Sequence, residues 1–138
     1  MNAPHNRSAA HSIIGELWAG RPEADAGHLI VDFLAAHTDA VHISFAQFFA
    51  VARQADIKDQ HVVVNIVTYL TGGDLHLLKT GFEFIEDDVV QPLDVEQVRA
   101  AKYSKINPIT GDEDAEIGSK IFMYFIPSDL AKTALVVE

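Results

Sequence analysis

The chain is 138 residues long, 49% apolar and 22% charged, which suits one domain of ordinary size with enough apolar side chains for a packed core. Its 10 Lys and Arg stand against 20 Asp and Glu, and the formal net charge of −10 excludes a general nucleic-acid binder, which needs a basic footprint to displace counterions from phosphate. With no cysteine, disulfides, thiolate zinc sites and cysteine nucleophiles are excluded together.

Residues Met1 to Ser12 are polar and small, and no apolar run nears the roughly 18 residues of a membrane helix, so a soluble, cytoplasmic protein is expected. Ser8–Ala19 reads as a first helix, with Ile13, Ile14, Leu17 and Trp18 at helical spacing. Gly20 and Pro22 break it. Pro22 starts a second helix, with Glu23 and Asp25 in the first turn, where the helix dipole favours acids. Its apolar stripe is Leu29, Ile30, Phe33 and Leu34.

Val41–Ser44 alternates as one brief strand would. Ser44 and Gln47 then form a capping-box pattern ahead of Phe45, Phe48, Phe49 and Ala52, the stripe of a third helix. Asp59 caps a fourth, with Val62, Val63, Ile66, Val67 and Leu70 on one face and Gly72-Gly73 as the stop. From there the period changes to two. Leu75, Leu77, Phe82 and Phe84 read as two strands or one bent strand. Asp94 and Gln97 open a fifth helix, Asn107–Asp112 is a loop, Lys120–Ile126 is a last strand, and Ser128 caps a short final turn.

In this order, the segment Val41–Phe84 resembles a winged helix-turn-helix core. Phe45–Ala55 and Gln60–Thr71 would be the helix pair, and Leu75–Glu86 with Lys120–Ile126 the wing sheet. In DNA-binding members of such a family the second helix enters the major groove. Its outward positions here would be His61, Val64, Asn65 and Thr68, a face with no Lys or Arg. Asn65 has the chemistry to read adenine, but lacks phosphate contacts to support it. The resemblance also implies use as a protein–protein module, which the acidic balance favours.

Half of the acids lie between Glu83 and Glu116. Glu86, Asp87, Asp88, Asp112, Glu113, Asp114 and Glu116 form a candidate face for a basic partner; a solvated, solubilising surface is the plainer account. Asp112, Asp114 and Glu116 start like a calcium loop, but Ile117 stands where the turn needs glycine and Met123 where a bidentate Glu is needed, so that reading fails. The histidines make no HExxH pair, there is no GxSxG elbow, and Gly72-Gly73-Asp74 lacks the Lys-Ser/Thr of a phosphate loop. No cofactor, metal or catalytic residue is assigned.

The strand Lys120–Ile126 is apolar on both faces, Phe122 and Tyr124 on one, Met123 and Phe125 on the other. Met123 and Phe125 are therefore candidate interface residues. So are Ile13, Ile14, Leu17 and Trp18, a terminal stripe that makes residues 1–20 a candidate interface arm. The expected protein is a single α+β domain, mainly helical, with a small antiparallel sheet. Its expected function is a non-catalytic interaction or regulatory module. The partner would be another protein or a second copy of this chain, with no nucleic acid or membrane. Two alternatives stand beside it: an acidic inhibitor or nucleic-acid mimic that blocks a basic site, and a small enzyme built from scattered His and carboxylates.

Overall fold

The computed structural model describes residues 3–72 and 75–136. The fold is mainly helical α+β with a small antiparallel sheet, and the chain divides into two compact units, Met1–Lys79 with Phe125–Glu138, and Thr80–Tyr124. The expected single domain is thus built in two parts. No linker composition marks the division, because both boundaries fall inside β-strands.

The first unit holds α1 (Arg7–Leu17), α2 (Pro22–Ala36), α3 (Phe45–Arg53), α4 (Gln60–Thr71) and α6 (Asp129–Ala134). Each start has a local cause. Asn6 accepts from the Ala9 N–H, Pro22 sits at the first position of α2, Ser44 and Gln47 complete a capping box, and the Asp59 and Ser128 side chains cap α4 and α6. The α2 helix packs against α1, α3 and α4. At Gly27 the approach is so close that a Cβ would lie 2.9 Å from Ile14 Cγ2 and 3.1 Å from Ile66 Cγ1. Ile14, Ile30, Leu34, Phe48, Ile66 and Leu70 are fully buried there.

Two expectations in this unit change. The strand expected at Val41–Ser44 reduces to a single bridge, with Ile43 and Phe125 exchanging both backbone hydrogen bonds at 2.8 Å. Leu75 and Leu77 are buried core residues that precede β1 (Leu78–Glu86) rather than strand residues. Gly73 of the Gly72-Gly73 stop and Asp74 lie outside the described residues; Gly72 caps α4.

The second unit contains most of β1, then β2 (Val89–Leu93), α5 (Val95–Ser104), a 3-10 turn (Ile117–Lys120) and the start of β3 (Ile121–Pro127). The sheet order is β2-β1-β3. Strands β1 and β2 form a tight hairpin, Glu86 opposite Val89 and Phe82 opposite Leu93, with Asp87 at φ 52° in the turn. Asp94 and Gln97 cap α5 reciprocally, as expected. Phe84, Ala101 and Ile117 form the small core of this unit, with Leu93 and Ile121 packed against it.

Candidate functional site

The acidic residues converge in the second unit. A cavity of about 410 Å³ is lined by Glu86, Asp87, Glu113 and Asp114, by one cation, Lys120, and by Phe84, Val89, Asn107, Ile109 and Thr110. The hairpin supplies Glu86 and Asp87. The hairpin also supplies Phe84 and Val89 and the 3-10 turn supplies Lys120; the loop after α5 supplies Glu113, Asp114, Ile109 and Thr110, and Asn107 organises it. Buried at 6% exposure, Asn107 accepts from the Ile109 and Thr110 N–H groups at 2.8 and 3.2 Å and donates to Asp114 Oδ2 at 3.2 Å. Gly111, at φ 76°, closes the turn by donating to the Asn107 carbonyl at 2.8 Å.

Lys120 crosses the cavity wall. Its Nζ is 2.7 Å from Asp114 Oδ2 and 2.8 Å from Glu86 Oε2. The hydrogen bond to Asp114, then that to Glu86, raises the Lys120 pKa above the ordinary lysine value. The same ammonium, followed by the Glu116 N–H and the Asn107 amide, holds Asp114 below the usual carboxylate range. Both groups are fixed in their charged forms. Lys120 is therefore neither a base nor a nucleophile near neutral pH, and Asp114 is not an acid. The pair holds two opposite charges against each other at the cavity. The remaining carboxylate oxygens at the cavity favour a cationic ligand.

Of the seven acids expected to form one face, Glu86, Asp87, Glu113 and Asp114 line this cavity, and Asp88, Asp112 and Glu116 do not. Asn107 and Lys120 were not singled out by sequence reasoning. The Asn107-Pro108…Gly111 pattern signals a loop, and only the fold reveals that its amide fastens an acid.

The apolar interface candidates separate. Ile14 and Phe125 are fully buried in the core of the first unit, so neither is available to a partner in this fold. Phe125 is covered by the Phe45 and Phe48 rings, at centroid distances of 4.9 and 5.6 Å. Ile13 and Trp18 are half-buried against the same core; Trp18 packs edge-to-face on Tyr69 at 5.8 Å, beneath the Arg21 guanidinium. Leu17 and Met123 remain exposed, in different units. The stripe of α1 thus closes mainly onto α2 and α4, and the helix is part of the first unit rather than an arm outside it.

Two histidines and an acid meet across α1 and α2, a contact no spacing in the sequence foretells. His11 Nδ1 lies 2.7 Å from His28 Nδ1, and His11 Nε2 lies 2.8 Å from Asp32 Oδ1. Burial, followed by the His11 charge, lowers the His28 pKa, with Asp25 and Asp32 opposing. Among the described residues no group of three or more His and acid side chains is arranged to hold a metal ion. Among them, too, no helix is long and apolar enough to cross a membrane.

The outward face of α4 also differs from a base-reading surface. Asn65 Nδ2 donates to Glu23 Oε2 at 3.1 Å, so the one side chain of this face with the chemistry to read adenine is engaged within its own unit.

Comparison with known proteins finds no matching family model, no matching curated protein and no matching solved structure.

Proposed function

We propose that this chain is a non-catalytic interaction module whose acidic cavity receives a basic side chain from a protein partner. The observation that carries this reading is the cavity itself: Glu86, Asp87, Glu113 and Asp114 border it against the single cation Lys120. Lys120 is already committed to two of those acids. An incoming Arg or Lys would find unspent acceptors on Asp87 and Glu113 and an apolar floor of Phe84, Val89 and Ile109 for its stem. The fixed protonation of Lys120 and Asp114 supports binding over acid–base chemistry. The helix-turn-helix resemblance of α3 and α4 belongs to the same proposal in its protein-binding use, since the outward face of α4 lacks Lys and Arg. So does a cytoplasmic setting.

The test is a titration of the full chain with Arg- and Lys-containing peptides at two salt concentrations. Binding should weaken as salt rises, and Asp87→Asn with Glu113→Gln should weaken it by about tenfold, equivalent to about 1.4 kcal/mol. Equal binding of neutral peptides, or no effect of the double variant, would overturn the proposal. If the preferred basic ligand is the nucleic-acid site of another protein, the module acts as a mimic that blocks it.

A further inference from the structure

A second cavity in the Thr80–Tyr124 unit carries an inference independent of the acidic one. Helix α5 buries only Ala101 fully, which clusters with Phe84 and Ile117. Toward its N-terminal end the helix leaves apolar side chains uncovered. Phe82, on the same face of β1 as Phe84, stays half-buried, and Val95 is 71% exposed. Here lies a cavity of about 410 Å³, bounded by Phe82 of β1, Leu93 of β2, and Val95, Val98, Arg99 and Tyr103 of α5. Small-molecule sites are built in this way, with mainly apolar walls and a few polar groups, and this volume falls within their range.

Arg99 gives the cavity its charge. The helix carries three cations, Arg99, Lys102 and, at its C-cap, Lys105. They stand in the most acidic stretch of the chain, yet among the described residues no carboxylate lies in ion-pair range of any of them. Lys120, by contrast, is shared by two acids. Lys102 and Lys105 border a smaller cavity of about 280 Å³ that adjoins the first, with Phe82 and Val98 lining both. Among the described residues, Asp94 is the only acid in either lining. Its Oδ1 already accepts from the Gln97 N–H at 2.8 Å to cap α5.

We infer that the larger cavity binds a small monocarboxylate with an apolar body, its carboxylate on Arg99 and its hydrocarbon against Phe82, Leu93 and Val98. Charge complementarity selects this class. A guanidinium presents a planar fork that a carboxylate meets with two parallel hydrogen bonds, and Tyr103 adds a phenolic O–H on the same wall. A neutral chain would gain nothing from Arg99, and a cationic one would meet three like charges on α5. The carboxylate alone gains a charge-assisted pair while its hydrocarbon covers side chains that the fold leaves open.

Octanoate, octanol and octylammonium share a chain and differ in the head. Titrated into the full-length protein and followed by NMR, octanoate should bind at least about tenfold tighter than either of the others. That order is diagnostic, because a net charge of −10 favours the ammonium by general electrostatics, and only local cations reverse it. The methyl signals of Leu93, Val95 and Val98 should shift on binding. Arg99→Gln, at an exposed position, should weaken octanoate by about tenfold and leave octanol unchanged. Arg53→Gln, exposed on α3, should change neither. The inference is overturned if octanol or octylammonium binds as tightly as octanoate, if Arg99→Gln has no effect, or if octanoate binding does not saturate.

Discussion

Asn65 on α4 is tied to Glu23 on α2: the amide donates at 3.1 Å to a carboxylate that is only 2% exposed. A buried carboxylate persists only if its charge is met by donors. Asn65 is the first of these, the backbone N–H of Glu23 itself comes next, and the Arg21 guanidinium, at 3.4 Å and largely exposed, is the least. Together they hold Glu23 below the usual glutamate range despite its burial.

Asn65→Ala should therefore destabilise the chain by about 1–3 kcal/mol, the cost of a buried acceptor left short of its partner. Glu23→Leu in the Asn65→Ala background should recover part of the loss, since removing both polar groups is less costly than orphaning one. Urea denaturation of the single and double variants measures both. A single variant indistinguishable from the parent would show that Arg21 or water suffices.

Acid should weaken the fold in two successive ranges. The folded-state pKa of His28 lies below its ordinary 6.5 because the ring is partly buried beside His11. Below pH 6.5 the unfolded chain takes up this proton before the folded chain does. The stability is thus fully present above 6.5 and is lost as pH falls toward the folded value. Glu23 and Asp114, whose ordinary values are 4.5 and 3.8, are lowered too. Their contribution is present above those values and is lost at lower pH. Thermal melts from pH 7.5 to 5 should show a falling Tm, and His28→Gln should flatten the decline in that interval while leaving the drop below pH 4.5. An unchanged slope in His28→Gln would remove His28 from the account.

Helix starts were legible because capping is local. Ser44 with Gln47, Asp59, Asp94 with Gln97, and Ser128 all act as their spacing predicts. Strand β2 was not read as a strand, for two physical reasons. Its turn is Asp87-Asp88, without the glycine that marks most tight hairpins, and Asp87 adopts the left-handed conformation itself. Pro92 then argues against a central strand, and β2 is indeed an edge. At the site, the acids were visible as a composition bias from Glu83 to Glu116. Which of them share a cavity was not, because that depends on how the hairpin and the Asn107 loop fold within their unit. The His11–His28 contact was illegible for the same reason: the two lie 17 positions apart on separate helices.

Helix α1, Arg7–Leu17, opens the first unit. As a separable interface arm it should be removable, leaving a folded remainder. The packing says otherwise. Ala10 and Ile14 are fully buried, and Ile13 and Trp18 lean on the same core. Ile14 also fills the space above Gly27, a position in α2 that has no side chain of its own to cover Ile66. Deleting residues 1–20 would uncover this surface at once, and a single large-to-small change in a packed core already costs about 2–5 kcal/mol. Folded domains of this size have only about 5–15 kcal/mol in hand. The truncated chain should therefore lose its cooperative thermal transition, bind a hydrophobic dye and scatter light. Ile14→Ala in the full chain should lose about 2–5 kcal/mol and stay folded, while Leu17→Ala, at an exposed position, should change stability by less than about 0.5 kcal/mol. Circular dichroism melts of the three variants separate the two roles. A truncated chain that melts cooperatively near the parent temperature would return α1 to the role of an arm.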